Sequence, residues 1–172
     1  MDSDFCPLTL SDEEIEVLRT LRKLSDADGF EYGQICSSVG FSEPFSSNNE
    51  NSVLIPDKYQ NSGQIRLYHS HTNETLFSRR DYSLLLARYV ERISVITTTG
   101  EIFSAYVGTG VIPDKDEFWN AVTDIHQAVV FDMIDQSGFF DLEPRQMEIL
   151  TYREIAFRIA RHFKWTLEGG TP

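Results

Sequence analysis

Apolar side chains recur at the spacing of an α-helix in four stretches of the chain. These stretches are residues 8 to 25, 78 to 91, 118 to 133 and 143 to 163. Each one leaves an apolar stripe that can face a core. Ser11 and Glu14 also have the spacing of a capping box near the start of the first stretch. The pattern therefore predicts four helices.

Elsewhere the pattern is that of β-strands. We expect strands in residues 30 to 39, 53 to 55, 64 to 69, 93 to 97 and 102 to 107. In the third of these, Ile65 and Leu67 fall on one face, whereas Arg66 and Tyr68 fall on the other. A tight turn at Thr99-Gly100-Glu101 joins the last two strands, which predicts an antiparallel hairpin.

Two further segments indicate irregular structure. Residues 42 to 51 are rich in Ser, Asn and Glu and predict a flexible loop, and Gly169, Gly170 and Pro172 predict a frayed C-terminus. The elements together predict an α+β fold in which helices cover a mixed sheet. We divide the chain into a domain at residues 1–112, which includes the first helix, and a helical extension at residues 113–172 packed on it.

Charge narrows the choice of partners. The chain has 172 residues with 27 acidic and 15 basic side chains, a formal net charge of -12. Such a surface repels phosphate backbones and anionic lipid, so we expect neither nucleic acid nor a membrane as a partner. Soluble proteins or peptides, basic ones above all, remain compatible with it.

The ends and the cysteines indicate a compartment. The N-terminus lacks the basic and apolar regions of a signal peptide, and no apolar run approaches the ~20 residues of a membrane span. Cys6 and Cys36 form no C-x-x-C pair, and two unpaired thiols are typical of a reducing compartment. We therefore expect a cytoplasmic location.

The strongest chemical signal is the segment from His69 to Asp81. His69 and His71 are two residues apart at the end of a predicted strand, so both imidazoles point the same way. Asp81 falls in the first turn of the helix that follows. Two imidazoles and one carboxylate with an open fourth position describe a catalytic zinc site.

Hydrolysis at such a site needs a group that moves a proton. Glu31, in the predicted strand with Gly33 close by, is our candidate for the general acid/base, and Gly33 would let the backbone or a substrate approach. Ser78 could donate a hydrogen bond to the developing oxyanion. Glu43 and Glu50 in the following loop are the alternatives to Glu31.

Each feature also has a plain structural interpretation. Two histidines one residue apart occur on strand surfaces, Ser78 with Asp81 makes an ordinary helix N-terminus, and Glu31 is one of many carboxylates. Arg79 and Arg80 flank the site and could bind an acidic substrate tail, but they also suit a solvated first turn. The combination of features favours the metal site.

In combination these residues resemble a known family, the JAMM (JAB/MPN) zinc metalloproteases. The likeness rests on His69-x-His71, a six-residue loop, Ser78-x-x-Asp81, and the upstream Glu31-Tyr32-Gly33, and it covers roughly residues 28 to 108. Thr72 stands where many members of the family have proline. The resemblance implies a layered, cytidine-deaminase-like fold.

The resemblance also implies roles. It makes His69, His71 and Asp81 the zinc ligands, Glu31 the general acid/base and Ser78 the oxyanion support. It implies hydrolysis of a peptide or isopeptide bond in a protein substrate. The segment Glu31-Tyr32-Gly33 is similar to bacterial and phage members of the family, some of which are domains of polymorphic toxins.

Two other hypotheses stay open at this point. One is a non-catalytic JAMM-like module or toxin-type effector domain that binds a protein through its C-terminal helices, where Phe118, Trp119, Phe131, Phe139 and Phe140 form a core or an interface. The other is a metal phosphoesterase, which also uses H-x-H. It would need further ligands, and the sequence holds no second H-x-H.

Overall fold

The structure is a computed structural model that describes residues 5–48, 53–59, 63–135 and 139–171. Its four α-helices are α1 (Asp12–Asp28), α2 (Arg79–Leu84), α3 (Lys115–Ile134) and α4 (Pro144–Phe163). Its strands are β1 (Tyr32–Ser37), β2 (Gly40–Phe41), β3 (Phe45–Ser46), β4 (Ile65–Ser70), β5 (Val90–Ile96), β6 (Ile102–Tyr106) and β7 (Thr166–Gly170). None of the described helices combines the length and apolar character needed to cross a membrane.

The strands form one mixed sheet, which confirms the predicted α+β class. Their order is β2-β1-β4-β5-β6-β7, and β3 also pairs with β1. Strands β4 and β5 are parallel, whereas the other pairs are antiparallel. The parallel pair requires a crossover connection, and α2 lies in that crossover.

Both faces of the sheet are covered by helices. Helix α1 packs Leu18 and Leu21 against Tyr68 in a smaller apolar cluster, while α2, α3 and α4 enclose the larger core on the opposite face. Strand β4 is buried on both sides, because Leu67 belongs to the larger core and Tyr68 to the smaller one. The alternation predicted for this strand is confirmed.

Local signals place most of the helices and the hairpin correctly. The capping box of Ser11 and Glu14 is present, and α1 ends at Gly29, whose φ of +78° favours glycine. Helices α3 and α4 have their predicted apolar stripes buried. Gly100, with φ +87°, turns the chain between β5 and β6.

The helix predicted at residues 78 to 91 is too long. Helix α2 ends at Leu84, and the backbone then tightens into three-residue turns, in which Leu86 N–H donates to Ser83 and Ala87 N–H to Leu84. The Ile65 N–H donates to the Tyr89 carbonyl at 2.7 Å, which starts the pairing of β4 with β5. Pairing in the sheet therefore outweighs the helical spacing of these residues.

The strand predicted at residues 53 to 55 is wrong, and so is part of the loop predicted at 42 to 51. Phe45–Ser46 in that loop forms β3. Strand β1 is paired with β4 on one edge and with β2 and β3 on the other. No edge of β1 remains for residues 53 to 55, which lie in irregular structure before Pro56.

The predicted fraying of Gly169 and Gly170 is also wrong, because both belong to β7 and pair with β6. A Cβ atom at Gly169 would lie 2.7 Å from Phe103 and 2.9 Å from Phe5, so glycine serves close packing there. Pro172 lies outside the described residues. The segment 113–172 thus contributes a strand as well as two helices, and the division after residue 112 stays a prediction.

The two cysteines are free thiols, as expected. Cys36 is buried on β1, where its sulfur lies 3.5 Å from Nη2 of Arg66. Cys6 is exposed and joins the N-terminal segment to β7, since its N–H donates to the Leu167 carbonyl at 3.1 Å.

Candidate metal centre

The two histidines lie side by side at the end of β4. His71 follows the last residue of the strand, and its N–H donates to the Ile96 carbonyl at 2.9 Å, so the extended backbone continues through it. Both side chains are buried, at 2% and 5% exposure. Their Nε2 atoms are 3.1 Å apart, which confirms that the i, i+2 spacing directs both rings to one point.

Asp81 reaches the same point from the start of α2. It is the third residue of that helix, and Ser78 is the N-cap. The Ser78 N–H donates to Oδ2 of Asp81 at 2.6 Å, which fixes the carboxylate. Oδ1 then lies 3.3 Å from Nε2 of His69, and Oδ2 lies 3.5 Å from Nε2 of His71.

These spacings fit one metal ion. Tetrahedral ligands at the usual 2.0–2.1 Å from zinc are separated by roughly 3.3 Å from each other. The three separations measured here are 3.1, 3.3 and 3.5 Å. Within the part of the chain that the structure describes, no other group of three His, Cys, Asp or Glu side chains is close enough to hold an ion.

The hydrogen bonds of His71 point its free nitrogen at the cluster. Its Nδ1 lies 2.8 Å from the Thr75 carbonyl, which can only accept, so the proton is on Nδ1. The neutral ring then presents a lone pair on Nε2, next to His69 and the carboxylate of Asp81. A metal-bound histidine is commonly oriented by such a bond to its other nitrogen. A cation placed between Nε2 of His71, Nε2 of His69 and the carboxylate would satisfy all three.

The charges in the cluster also favour a bound cation. Burial would raise the pKa of Asp81, but the charges and hydrogen bonds of His69 and His71 outweigh it and hold the pKa well below the usual value. Burial would lower the pKa of His71, but its contacts with Asp81 and the charge of Glu31 raise it instead. Asp81 is therefore ionised, and without a metal its carboxylate favours the protonated form of His71.

Glu31 faces the cluster because of the register between β1 and β4. Gly33 lies directly across from His69 in this antiparallel pair. Glu31, two residues before Gly33, therefore comes opposite His71, two residues after His69. Glu31 stands one residue before β1 rather than within a strand, and it is buried with 6% exposure. Of the alternatives, Glu43 is exposed and Glu50 lies outside the described residues.

The environment of Glu31 differs from that of an ordinary surface carboxylate. Burial raises its pKa, and the charge of Asp81 adds to this effect. His71, His69 and a hydrogen bond with the Thr72 backbone oppose the shift without cancelling it. A carboxyl group with a raised pKa next to a candidate metal site suits proton transfer near neutral pH.

Gly33 has a different use from the one that we expected. A Cβ atom there would lie 2.5 Å from Cγ1 of Val53 and 3.0 Å from Phe45. Side chains of the chain itself therefore occupy the space over Gly33. The glycine lets Val53 and Phe45 close over β1 rather than leaving room for a substrate at this position.

A cavity of about 250 Å³ opens beside the cluster. Its lining includes Glu31, His71, Asp81 and Ser78. The Ser78 hydroxyl oxygen accepts from the Asp81 N–H at 3.2 Å, which is its capping role, and its hydrogen remains available to another acceptor. The structure thus brings all five sequence-predicted site residues together, since His69 joins the others through His71 and Asp81.

Sequence reasoning missed the other residues that line the cavity, which are Asn73, Thr75, Glu148 and Tyr152. Asn73 Oδ1 accepts from the N–H and the hydroxyl of Thr75 and so shapes the loop that carries the Thr75 carbonyl. Glu148 is exposed and Tyr152 is half-buried, two turns and one turn before the buried residues of α4. Their helical spacing from Ile155 and Ile159 was the available signal.

Arg79 and Arg80 do not line the cavity. Arg79 lies close enough to His126 on α3 for its charge to contribute, after burial, to a lowered pKa of that histidine. Arg80 is exposed. The structure therefore lends no support to an acidic substrate tail bound by these two arginines.

Comparisons with models of known protein families, with curated proteins and with solved structures found no match. What the site can do must therefore be inferred from its geometry: a cluster able to hold a metal ion, a buried carboxylate and a cavity at one end of the sheet.

Proposed function

We propose that the chain is a zinc-dependent metallopeptidase or isopeptidase of the JAMM type, which hydrolyses a peptide or isopeptide bond. The observation that carries this proposal is the triangle of His69, His71 and Asp81, with edges of 3.1 to 3.5 Å, that shares its cavity with the buried carboxylate of Glu31. Three protein ligands and an open position are typical of a catalytic site rather than a structural one.

The donor set favours zinc over harder ions. Two imidazole nitrogens suit zinc and other transition metals, whereas magnesium and calcium prefer oxygen ligands throughout. Zinc in such a site lowers the pKa of water to roughly 7 and polarises a carbonyl group. The protein supplies the ligands, their orientation and a partly closed cavity.

Glu31 would act as the general acid/base. Opposite His71 and lining the same cavity, it can accept a proton from the attacking water and pass it to the leaving amine. Ser78 can donate its hydroxyl hydrogen to the developing oxyanion while its oxygen remains the cap of α2.

The arrangement of elements supports the JAMM-like assignment of the fold. The histidine pair ends a central strand, the serine and aspartate begin the next helix, and the glutamate stands before the neighbouring antiparallel strand. The resemblance implies the same order of parts: an upstream glutamate, a histidine pair, and a serine with an aspartate after the loop. A toxin-type setting stays a prediction.

The substitution Glu31→Gln tests the catalytic part of the proposal. Glutamine keeps the size of the side chain but cannot take up a proton, so zinc content should stay normal while hydrolysis falls by at least ~100-fold. The assay would follow release of new amino groups from peptide and isopeptide-linked substrates by zinc-loaded protein. Normal turnover by Glu31→Gln would show that the assignment of Glu31 is wrong.

Exposed apolar residues near the end of α3 favour a second candidate, a protein-binding module. Phe131 is 70% exposed, Phe140 69% and Ile134 46%. Exposed apolar surface of this kind often marks a protein interface. A zinc-loaded wild-type protein that hydrolysed neither substrate class would favour this candidate over the enzyme.

A further inference from the structure

A second, larger cavity continues outward from the metal site. It measures about 450 Å³ and lies between the loop after His71 and the N-terminus of α4. Asn73, Thr75 and Glu148 line both cavities. The two spaces therefore meet at these residues, and Glu148 on α4 stands at their junction.

The carboxylates around the two cavities differ in how their charge is balanced. A bound divalent ion would be balanced by Asp81 and Glu31. Glu74, on the wall of the outer cavity, pairs with Arg145 at 3.0 Å across the gap between the loop and α4. Glu148 forms no ion pair with any residue that the structure describes. Its negative charge is therefore the one left without a partner beside the metal site.

The wall of the outer cavity is partly apolar as well as charged. Pro144 and Ile149 contribute apolar surface to its wall. A lysine or arginine side chain has a long aliphatic stem and a charged end, and it buries the stem against apolar surface while the charge meets a partner. Ile149 and Pro144 suit the aliphatic stem, and the unpaired carboxylate of Glu148 suits the charged end.

We propose that Glu148 is a specificity-determining residue that selects substrates carrying a positively charged side chain next to the bond to be cleaved. This inference rests on the proposed hydrolase function and narrows its substrates to peptides with lysine or arginine beside that bond. The net charge of -12 attracts such substrates to the surface in general, and Glu148 places the attraction at the site.

A pair of metal-binding probes tests the inference without turnover. The Nα-acetylated hydroxamates of lysine and norleucine both chelate zinc, and they differ only in the terminal ammonium group. Their dissociation constants would be measured by calorimetry on zinc-loaded protein at low ionic strength. We expect the lysine probe to bind wild type about two- to fivefold more tightly, because an exposed charge pair contributes modestly.

The variants assign the preference to one side chain. Glu148→Gln should abolish it, and Glu148→Lys should make the lysine probe the weaker one. Glu13→Gln is the matched control, since Glu13 is exposed on α1 on the opposite face of the sheet and its loss changes the net charge equally. That variant should keep the preference.

The outcomes separate the two proposals. If the norleucine probe binds but wild type shows no preference for lysine, or if Glu148→Gln keeps the preference, the inference about Glu148 is wrong and the hydrolase proposal stands. If neither hydroxamate binds the zinc-loaded protein, the proposed metal-dependent function fails, and the inference fails with it.

Discussion

Two capping boxes meet β4 from opposite faces of the sheet. Ser11 and Glu14 begin α1, and Ser78 and Asp81 begin α2. In each box the serine oxygen accepts from the backbone of the third helical residue, and the carboxylate of that residue accepts from the serine N–H. Each carboxylate then reaches side chains of β4, so the two boxes differ mainly in what β4 presents to them.

On the α1 face β4 presents donors. The Tyr68 hydroxyl and Nη1 of Arg66 both donate to Oε1 of Glu14, the latter at 2.6 Å. Burial would raise the pKa of Glu14, but the hydrogen bonds from Tyr68 and Ser11 and the charge of Arg66 lower it. The carboxylate is fully satisfied by the protein, as buried carboxylates in stable proteins usually are.

On the other face the neighbouring residue of the strand, His69, presents its Nε2 atom beside Nε2 of His71. Asp81 therefore meets two imidazole nitrogens, and the one from His71 carries a lone pair rather than a hydrogen. The first box is complete within the chain, whereas the second offers ligand atoms at the spacing that a metal ion needs. Two capping boxes with the same hydrogen-bond pattern thus serve stability on one face and a candidate metal site on the other.

The largest expected effect on the second box is the loss of zinc affinity in the substitution Asp81→Asn. Asparagine keeps an oxygen that can accept from Ser78, so the helix start is retained, but the ligand charge is lost. Since altering even the outer partners of ligands costs roughly 10–100-fold in metal affinity, we expect zinc affinity to fall by at least ~100-fold. Titration of zinc into chelator-stripped protein measures this loss, and an unchanged affinity would exclude Asp81 as a ligand.

The corresponding change in the first box, Glu14→Gln, should act on stability alone. It weakens charged hydrogen bonds to Tyr68 and Arg66 in a buried position, and we expect the free energy of unfolding to fall by about 1–3 kcal/mol. Urea denaturation measures the effect, and Glu13→Gln, at an exposed neighbour, serves as the control. A change in zinc affinity in Glu14→Gln would contradict the separation of the two boxes.

Acid should affect zinc binding through the second box. The pKa of His71 is raised, so at pH values below that pKa the metal-free cluster holds a proton that zinc must displace. Affinity should be independent of pH above this raised pKa, and below it should fall by about tenfold per pH unit for each proton displaced. Asp81 stays ionised over this range because its pKa is well below the usual value. An affinity that rose as the pH fell would contradict the assignment.

The features that the sequence predicts correctly are local ones. The capping box of α1, the start of α2 at Ser78, the alternation along β4 and the hairpin turn at Gly100 depend on residues within a few positions of each other. The convergence of His69, His71 and Asp81 belongs to the same group, since it combines an i, i+2 pair with the first turn of the next helix. Glu31 could be chosen from its predicted strand context, although only the register of β1 with β4 places it opposite His71.

The features that it misses depend on distant partners. Strand β7 is short and ends in two glycines, and it forms because β6 offers an edge and Phe103 packs over Gly169. The end of α2 has no Gly or Pro to mark it. Glu148 and Tyr152 become part of the site only through the packing of α4 across the cavity.

The number of zinc ions bound per chain tests the central claim most directly. Chelator-stripped wild type, His71→Ala and the control His162→Ala, which alters an exposed histidine on α4, would be equilibrated with zinc at neutral pH and analysed by metal spectroscopy. We predict a single tightly bound zinc ion in wild type and in His162→Ala, and none in His71→Ala. A wild-type protein that takes up no zinc, or a His71→Ala variant that binds it normally, would contradict the account.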